Sequence, residues 1–358
     1  MYRLTQTITA APWATASPMT PRLLGNIFRR RAVVAGLLGL SALSGLATVA
    51  QADVYISDGD RIGRYSNAGA LINADFVSLT NVTGLTVGPD GYLYAGTETG
   101  DGGAPGIFRF DAGTGAQIGA PFVPYHGVPP TPDPRDVIDP QGLRFGADNR
   151  LYVADINGST NNVHVYDALG NSITSLNSPS PQDPGGPILN GPRAVALDSQ
   201  HPQRLYVANG GSVLQYDFGT QRFTTFTQPG PVALNDPKDL AFGPDHKLYV
   251  LDWSGSTPDV LRYNADGTND ASFLINFAQT TFFPAGLAFG ADGKVLVSGW
   301  DANYNTGSVL QFNLDGTSAG TFISPGSLTY YDSFMAVTPE PSTALALTFA
   351  TLLLRRRR

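Results

Sequence analysis

The fold is decided by the stretch Gly286-Leu-Ala-Phe-Gly-Ala-Asp-Gly-Lys-Val-Leu-Val-Ser298. A short apolar run, an Asp-containing turn and a second apolar run follow one another, an order typical of a β-hairpin. A second copy runs as Asp239-Leu-Ala-Phe-Gly-Pro-Asp-His-Lys-Leu-Tyr-Val-Leu-Asp252, and further copies begin at Gly84, Gly142 and Ala194. The repetition predicts a fold built from equivalent units.

Each copy leads into a third segment in which apolar and polar residues alternate. These segments occupy residues 106–111, 163–167, 213–217, 260–264 and 309–313. A Gly- or Asp-containing turn and a weaker fourth strand follow. Four short strands at a spacing of about 45 to 58 residues match the period of a propeller blade, and no helical periodicity competes for these segments.

Five complete units are visible, and the two ends of the repeat region supply a sixth. Residues 54–58 match a second strand and residues 61–65 match a third strand, but no first strand precedes them. Residues 334–337 fit the missing first strand. We therefore predict an all-β, six-bladed β-propeller over residues 53–337, closed by pairing of the N- and C-terminal strands, which removes exposed sheet edges.

The repeat resembles NHL-repeat propellers and the related senescence-marker-protein/gluconolactonase family over residues 54–337. The resemblance implies the propeller fold. It does not identify a function, because propellers of this kind include lactonases, lyases, other hydrolases and binding scaffolds.

Residues 1–52 read as a signal peptide. They contain five arginines and no acidic residue, and the cluster at 29–31 runs into an apolar segment at 32–47. Ala50 and Ala52 are the small residues that a signal peptidase reads, so we expect Asp53 to begin the mature protein. The apolar run is shorter than the roughly 20 residues that span a bilayer, which disfavours a spanning helix.

Residues 338–358 resemble a PEP-CTERM sorting tail. Pro339, Glu340 and Pro341 precede an uncharged apolar segment at 344–354 and four terminal arginines. The resemblance implies processing by an exosortase. The arginines are expected to stay cytoplasmic while the short apolar helix associates transiently with the inner membrane, before release to the outer surface or the matrix.

Composition narrows the classes of partner. Removing the nine arginines of the two ends takes the formal net charge from −7 to −16. Such an acidic body repels phosphate backbones, so we expect no nucleic-acid partner. The chain has no cysteine, so its core must be stable without disulfides.

Antiparallel strand order predicts which residues share one rim of the propeller. Residues before a first strand and residues after a second strand meet at the same end. The binding candidates on this rim are Asp58, Asp155, Arg193, Asn209, Lys238, Asp252, Trp253, Trp300 and Asp301. Carboxylates beside two tryptophans suit a sugar or a cation. The alternative is that each strand-end Asp or Asn bonds its own backbone to shape a turn.

The resemblance to sugar lactonases implies a divalent cation held by a Glu, an Asn and an Asp, the latter two preceding Gly-Leu pairs. The corresponding slots here hold Thr83, Gln141, Arg193, Lys238, Ala285 and Ser333. None is Asn or Asp, and two are cationic, so the slots do not favour a metal-dependent lactonase. Asp239, one position further on, is a partial match.

Other chemical motifs are sparse. The four histidines fall in unrelated blades, so a zinc site has too few ligands. Residues 264–270 superficially suggest a calcium loop but lack its distal Glu, which favours a turn. We therefore predict no cofactor, with Ca²⁺ as the alternative.

These observations favour an exported surface or matrix protein that binds a glycan, such as an exopolysaccharide, or a surface protein. A hydrolase, lactonase or lyase sited in the channel is the alternative, and a purely structural matrix protein is a third class.

Overall fold

The computed structural model describes residues 52–98, 105–125, 136–156, 161–177, 181–230, 232–253, 258–277, 282–301, 306–329 and 334–338. The predicted leader, including Ala50, and the predicted tail from Pro339 through Glu340 and Pro341 lie outside these residues, as does Ser333. Ala52 is described and is buried. No helix capable of crossing a membrane occurs among the described residues.

The described residues form six antiparallel sheets, the blades, which confirms the predicted six-bladed propeller. From the innermost strand outward, blade 1 contains β23 (Met335–Val337), β1 (Asp53–Ser57), β2 (Arg61–Ser66) and β3 (Leu71–Ser78). Blade 2 contains β4 (Val82–Val87), β5 (Tyr92–Thr97) and β6 (Gly106–Asp111). Blade 3 contains β7 (Pro140–Phe145), β8 (Leu151–Asp155), β9 (Asn162–Tyr166) and β10 (Ser172–Leu176).

The remaining blades have the same order. Blade 4 contains β11 (Ala194–Leu197), β12 (Arg204–Asn209), β13 (Ser212–Asp217) and β14 (Arg222–Thr225). Blade 5 contains β15 (Pro237–Phe242), β16 (Leu248–Asp252), β17 (Asp259–Tyr263) and β18 (Asn269–Asn276). Blade 6 contains β19 (Phe282–Phe289), β20 (Val295–Asp301), β21 (Gly307–Phe312) and β22 (Ser318–Leu328).

The ring is closed as the sequence predicts. Met335 pairs with Ile56, and Ala336 pairs with Tyr55. Each innermost strand contacts the innermost strand of the next blade, and β23 contacts both β4 and β19. The six innermost strands therefore surround a central channel.

Blade 2 departs from the predicted four strands. Its described residues form three strands, and isolated bridges join Ile107 to Val123 and Phe110 to Gln117 in place of a continuous fourth strand.

The core lies between blades. Six clusters of buried apolar side chains occur among the described residues, one at each interface between neighbouring blades. A recurring hydrogen bond fixes the inner hairpin, because the tyrosine of the second strand donates to the turn aspartate four residues earlier. The pairs are Tyr94 with Asp90, Tyr152 with Asp148 and Tyr249 with Asp245.

Candidate functional site

The rim predicted from strand order is present. Pro140 pairs with Asp155 and Pro237 pairs with Asp252, so the start of an innermost strand lies beside the end of the second strand in the same blade. Both segments therefore border one mouth of the channel.

A β-bulge recurs near the start of the innermost strands. The pairing register shifts at Thr83, Gln141, Lys238 and Ala285, the residues immediately before the Gly-Leu position of blades 2, 3, 5 and 6 or its equivalent. A bulge redirects the side chain of the extra residue. All four residues line the same cavity at the channel mouth.

We call this cavity the upper chamber. It has a volume of about 320 Å³, within the range of small-molecule sites. It is lined by Gly59, Asn81, Val82, Thr83, Glu98, Gln141, Arg193, Lys238, Trp253, Pro284, Ala285, Trp300 and Phe334. The structure thus brings together four of the nine predicted binding residues: Arg193, Lys238, Trp253 and Trp300.

The two tryptophans belong to an aromatic cluster with Phe283. The centroid of the Trp253 ring lies 5.5 Å from that of Trp300 and 5.7 Å from that of Phe283, with interplanar angles of 28° and 21°. Trp300 is only 6% exposed, whereas Trp253 is partly exposed. Trp253 is therefore the ring that is more accessible to a ligand.

The two predicted cations share one carboxylate. Lys238 Nζ lies 2.5 Å from Asp236 Oδ2, and Arg193 Nε lies 3.4 Å from Asp236 Oδ1. Asp236 thereby holds two positive side chains from neighbouring blades at the chamber wall. The cationic groups repel a metal ion, but they are suitable donors to hydroxyl or carboxylate oxygens.

Glu98, which lines the upper chamber, lies beside a second carboxyl group, that of Asp139, which is not among the lining residues. Glu98 hydrogen-bonds the side chain of Asp139, and Gln141 Nε2 also donates to Asp139 Oδ1. Burial raises the pKa of Asp139, the nearby charge of Asp155 adds to the rise, and the two hydrogen bonds and Arg193 oppose it. The raised pKa makes the Asp139 carboxyl group easier to protonate beside a second carboxyl group.

The predicted carboxylates of the second strands have a different environment. Asp155 and Asp252 are each 1% exposed and accept hydrogen bonds from two backbone N–H groups of the segment that leads into the innermost strand of their own blade. Asn209 does the same in blade 4, where it accepts from the backbone of Asn190 and donates to Ile188. These three side chains secure the rim loops and are not among the residues lining the upper chamber.

Asp58 and Asp301 also bond neighbouring segments of the chain. Asp58 accepts from the backbone N–H of Thr329 at 2.6 Å and forms an ion pair with Arg61. Asp301 accepts from the Thr306 hydroxyl across a hairpin. Neither residue lines the upper chamber.

The segment 264–270 consists of the turn between β17 and β18, residues 264–268, and the first two residues of β18. Asp266 accepts from the backbone and hydroxyl of Thr268, and Asp270 pairs with Lys247 and Arg262. Hydrogen bonds from Lys247 and neighbouring groups lower the pKa of Asp270. No group of three or more metal-ligating His, Asp or Glu side chains gathers within the part of the chain that the structure describes.

Sequence reasoning missed Asp139, Asp236 and Phe283. A signal for the two acids exists in the repeat, because Asp139-Pro-Gln141 and Asp236-Pro-Lys238 place an acid two residues before the bulge. The repeat pattern places the first strands at Gly142 and Asp239, so both acids lie three residues before the predicted strands and outside the predicted candidates.

Several solved structures share this architecture. A chain of the nidogen/laminin complex is 16% identical, with a TM-score of 0.55 over 80% of this chain and 98% of that chain. A Bacteroides uniformis protein provisionally described as a 6-phosphogluconolactonase is 14% identical, with a TM-score of 0.53 over 80% of this chain and 100% of that chain. A Bacteroides caccae protein of unknown function is 10% identical, with a TM-score of 0.54 over 80% and 98%.

At these identities the likeness shows the fold alone. The family described as "Domain of unknown function (DUF5122) beta-propeller" matches residues 290–318, which lie in blade 6. No curated protein matches this chain.

Proposed function

We propose that this chain is an exported surface or matrix protein that binds a carbohydrate in the upper chamber. The observation that carries the proposal is that aromatic rings and hydrogen-bond donors line the same cavity. Trp253 and Trp300 supply apolar ring surface, while Gln141, Arg193 and Lys238 supply hydrogen-bond donors. A sugar ring presents an apolar C–H face and a rim of hydroxyls, so both kinds of group find a partner on one ligand.

The test is binding of exopolysaccharide fragments to the purified protein, compared with the Trp253→Ala variant. We expect at least tenfold weaker binding, about 1.4 kcal/mol, because the more accessible ring is lost. Tyr92→Ala is the matched control, since Tyr92 is a half-buried aromatic residue that does not line the upper chamber. If wild type and Trp253→Ala bound equally well, the upper chamber would not be the carbohydrate-binding site.

A channel-sited hydrolase, lactonase or lyase is the second candidate. The Glu98–Asp139 pair favours it, because a carboxyl group with a raised pKa beside a second carboxyl is a frequent acid–base arrangement. The test is whether the protein converts lactones or oligosaccharides to products. Activity that is lost in both Glu98→Gln and Asp139→Asn would favour the enzyme over the binding protein.

Export and sorting form part of the proposal. The basic leader, the Ala50 and Ala52 positions and the Pro339-Glu-Pro341 tail support them. Intact-mass measurement of the protein recovered from the host's surface or medium tests both ends. We expect an N-terminus at Asp53 and a C-terminus near Pro341.

A further inference from the structure

The central channel is divided into two chambers by a narrow waist. The waist contains a cavity of only about 10 Å³, the space of about one water molecule, and Arg144 and Asp239 are among its lining residues. Below it lies a second cavity of about 290 Å³, which we call the lower chamber. None of the residues that the structure describes lines both the upper and the lower chamber.

The lower chamber has an apolar wall. The last residue of each of the six innermost strands contributes to it, and all six are apolar: Val87, Phe145, Leu197, Phe242, Phe289 and Val337. These are the equivalent positions of the repeat, so the wall forms a continuous ring around the channel.

One position of the repeat breaks the symmetry of this chamber. The residue before the apolar ring is Ala in four blades and Thr86 in blade 2, but it is Arg144 in blade 3. Arg144 is the one charged residue among the described residues that line the lower chamber. Packing of the ring does not require it, since a small residue fills the same position in the other five blades.

Within the described residues, Arg144 is held by backbone oxygens and forms no ion pair. Its Nη1 donates to the backbone oxygens of Leu143 at 2.8 Å and Leu85 at 3.2 Å, which fixes the guanidinium group. No carboxylate lies within ion-pair distance of it in the described ranges.

The acid across the waist, Asp239, interacts with the charge of Arg144 but forms no hydrogen bond or ion pair with its guanidinium group. Asp239 accepts hydrogen bonds from the backbone N–H groups of Leu240 and Leu287, both at 2.8 Å. Burial raises the pKa of Asp239, and the charge of Arg144 opposes the rise. Arg144 is therefore a fixed cation beside an apolar wall. Its guanidinium group donates to no carboxylate among the described residues, so an anionic ligand can accept from it directly.

We propose that the lower chamber binds an amphiphilic anion, a carboxylate on an aliphatic chain, with the carboxylate on Arg144 and the chain against the apolar ring. Charge complementarity selects an anionic head group, since the described residues that line the chamber include one cation and no acid. The apolar ring favours an aliphatic chain on the ligand, because burying aliphatic surface is favourable where no polar group loses its water. The site is separate from the upper chamber and does not depend on the function proposed for that chamber.

The experiment is calorimetric titration of the purified protein with decanoate, 1-decanol and decylamine. We expect decanoate to bind and the other two to bind at least tenfold more weakly, because only decanoate carries the anionic head group. Arg144→Gln is expected to weaken decanoate binding at least tenfold, and Arg144→Lys less. Arg150→Gln is the control: Arg150 is an arginine of the same blade that lies outside the lower chamber, and it is expected to bind as wild type does.

Thermal unfolding of each variant verifies the fold before titration. Should Arg144→Gln fail to fold, the ligand series on the wild type and on Arg144→Lys still decides the matter. No decanoate binding, equal binding of decanoate and 1-decanol, or unchanged binding in folded Arg144→Gln would each overturn the proposal.

Discussion

At the scale of single residues, the glycine of the repeated Gly-Leu pair is required by the close approach of innermost strands. A Cβ atom on Gly142 would lie 2.6 Å from the Ala194 Cα and 2.9 Å from the Arg193 carbonyl oxygen. Both neighbours are backbone atoms of the next blade, so they cannot rotate away. The glycine thus sets the radius of the channel at the waist.

We expect Gly142→Ala to lower the free energy of unfolding by about 1–3 kcal/mol, because overpacking forces the strands of blades 3 and 4 apart. Urea unfolding measures it. Gly185→Ala is the matched control, since nothing lies within 4 Å of a Cβ at Gly185. If the two variants lost stability equally, close approach of the strands would not be the reason for the glycine.

The same scale shows why part of the site could not be predicted from the sequence. The sequence shows that Asp155, Asn209 and Asp252 recur at equivalent positions. It does not show whether each side chain bonds a ligand or the backbone of the loop that leads into the innermost strand. The choice depends on whether the loop brings N–H groups within reach, as it does here. Trp253 could be predicted as a binding residue because a large aromatic residue just after a strand is less often needed for packing.

At the scale of elements, strand order and period were predictable because the hairpin pattern recurs at near-constant spacing. The bulges at Gln141 and Lys238 were not, because a bulge changes the register without changing the pattern of apolar residues. The missing fourth strand of blade 2 is a related case. Its bridges at Val123 and Gln117 keep contact with β6 without a regular ladder.

Strand β23 holds the ring closed, although it has only three residues. We expect a chain ending at residue 333 to unfold at a lower temperature and to aggregate as concentration rises, because β1 then presents an unpaired edge. Thermal unfolding and size-exclusion chromatography over a range of concentrations check this. A chain ending at Thr338 keeps β23 and is the control. Identical behaviour of the two truncations would show that closure contributes little.

At the scale of the whole molecule, the propeller is a near-symmetric ring, and its candidate sites lie where single blades depart from the repeat. Trp253 and Trp300 occupy the rim of blades 5 and 6 but have no counterpart in the others, and Arg144 interrupts a ring of small residues. The repeat is therefore informative about architecture, and its exceptions are informative about binding. This division explains why the fold followed from the sequence more fully than the sites did.

The tyrosines of the repeat also act together on stability. Burial raises the pKa of Tyr55, Tyr249 and Tyr263 from 10.0 to about 12. The folded state therefore holds these phenol protons more tightly than the unfolded chain does. Their contribution to stability is complete below pH 10 and is lost as the pH rises from 10 to about 12.

We expect the free energy of unfolding to fall steeply over that interval, with Tyr55 alone contributing on the order of 2–3 kcal/mol. Urea unfolding at a series of pH values measures the slope, and phenolate absorbance in the folded state reports the titration directly. Tyr55→Phe has no phenol to ionise, so its curve must be shallower than that of the wild type over the same interval. Since that variant also loses the hydrogen bond to the Ala112 carbonyl oxygen, the comparison is between slopes and not between absolute stabilities. Parallel curves would mean that burial of Tyr55 does not couple ionisation to unfolding.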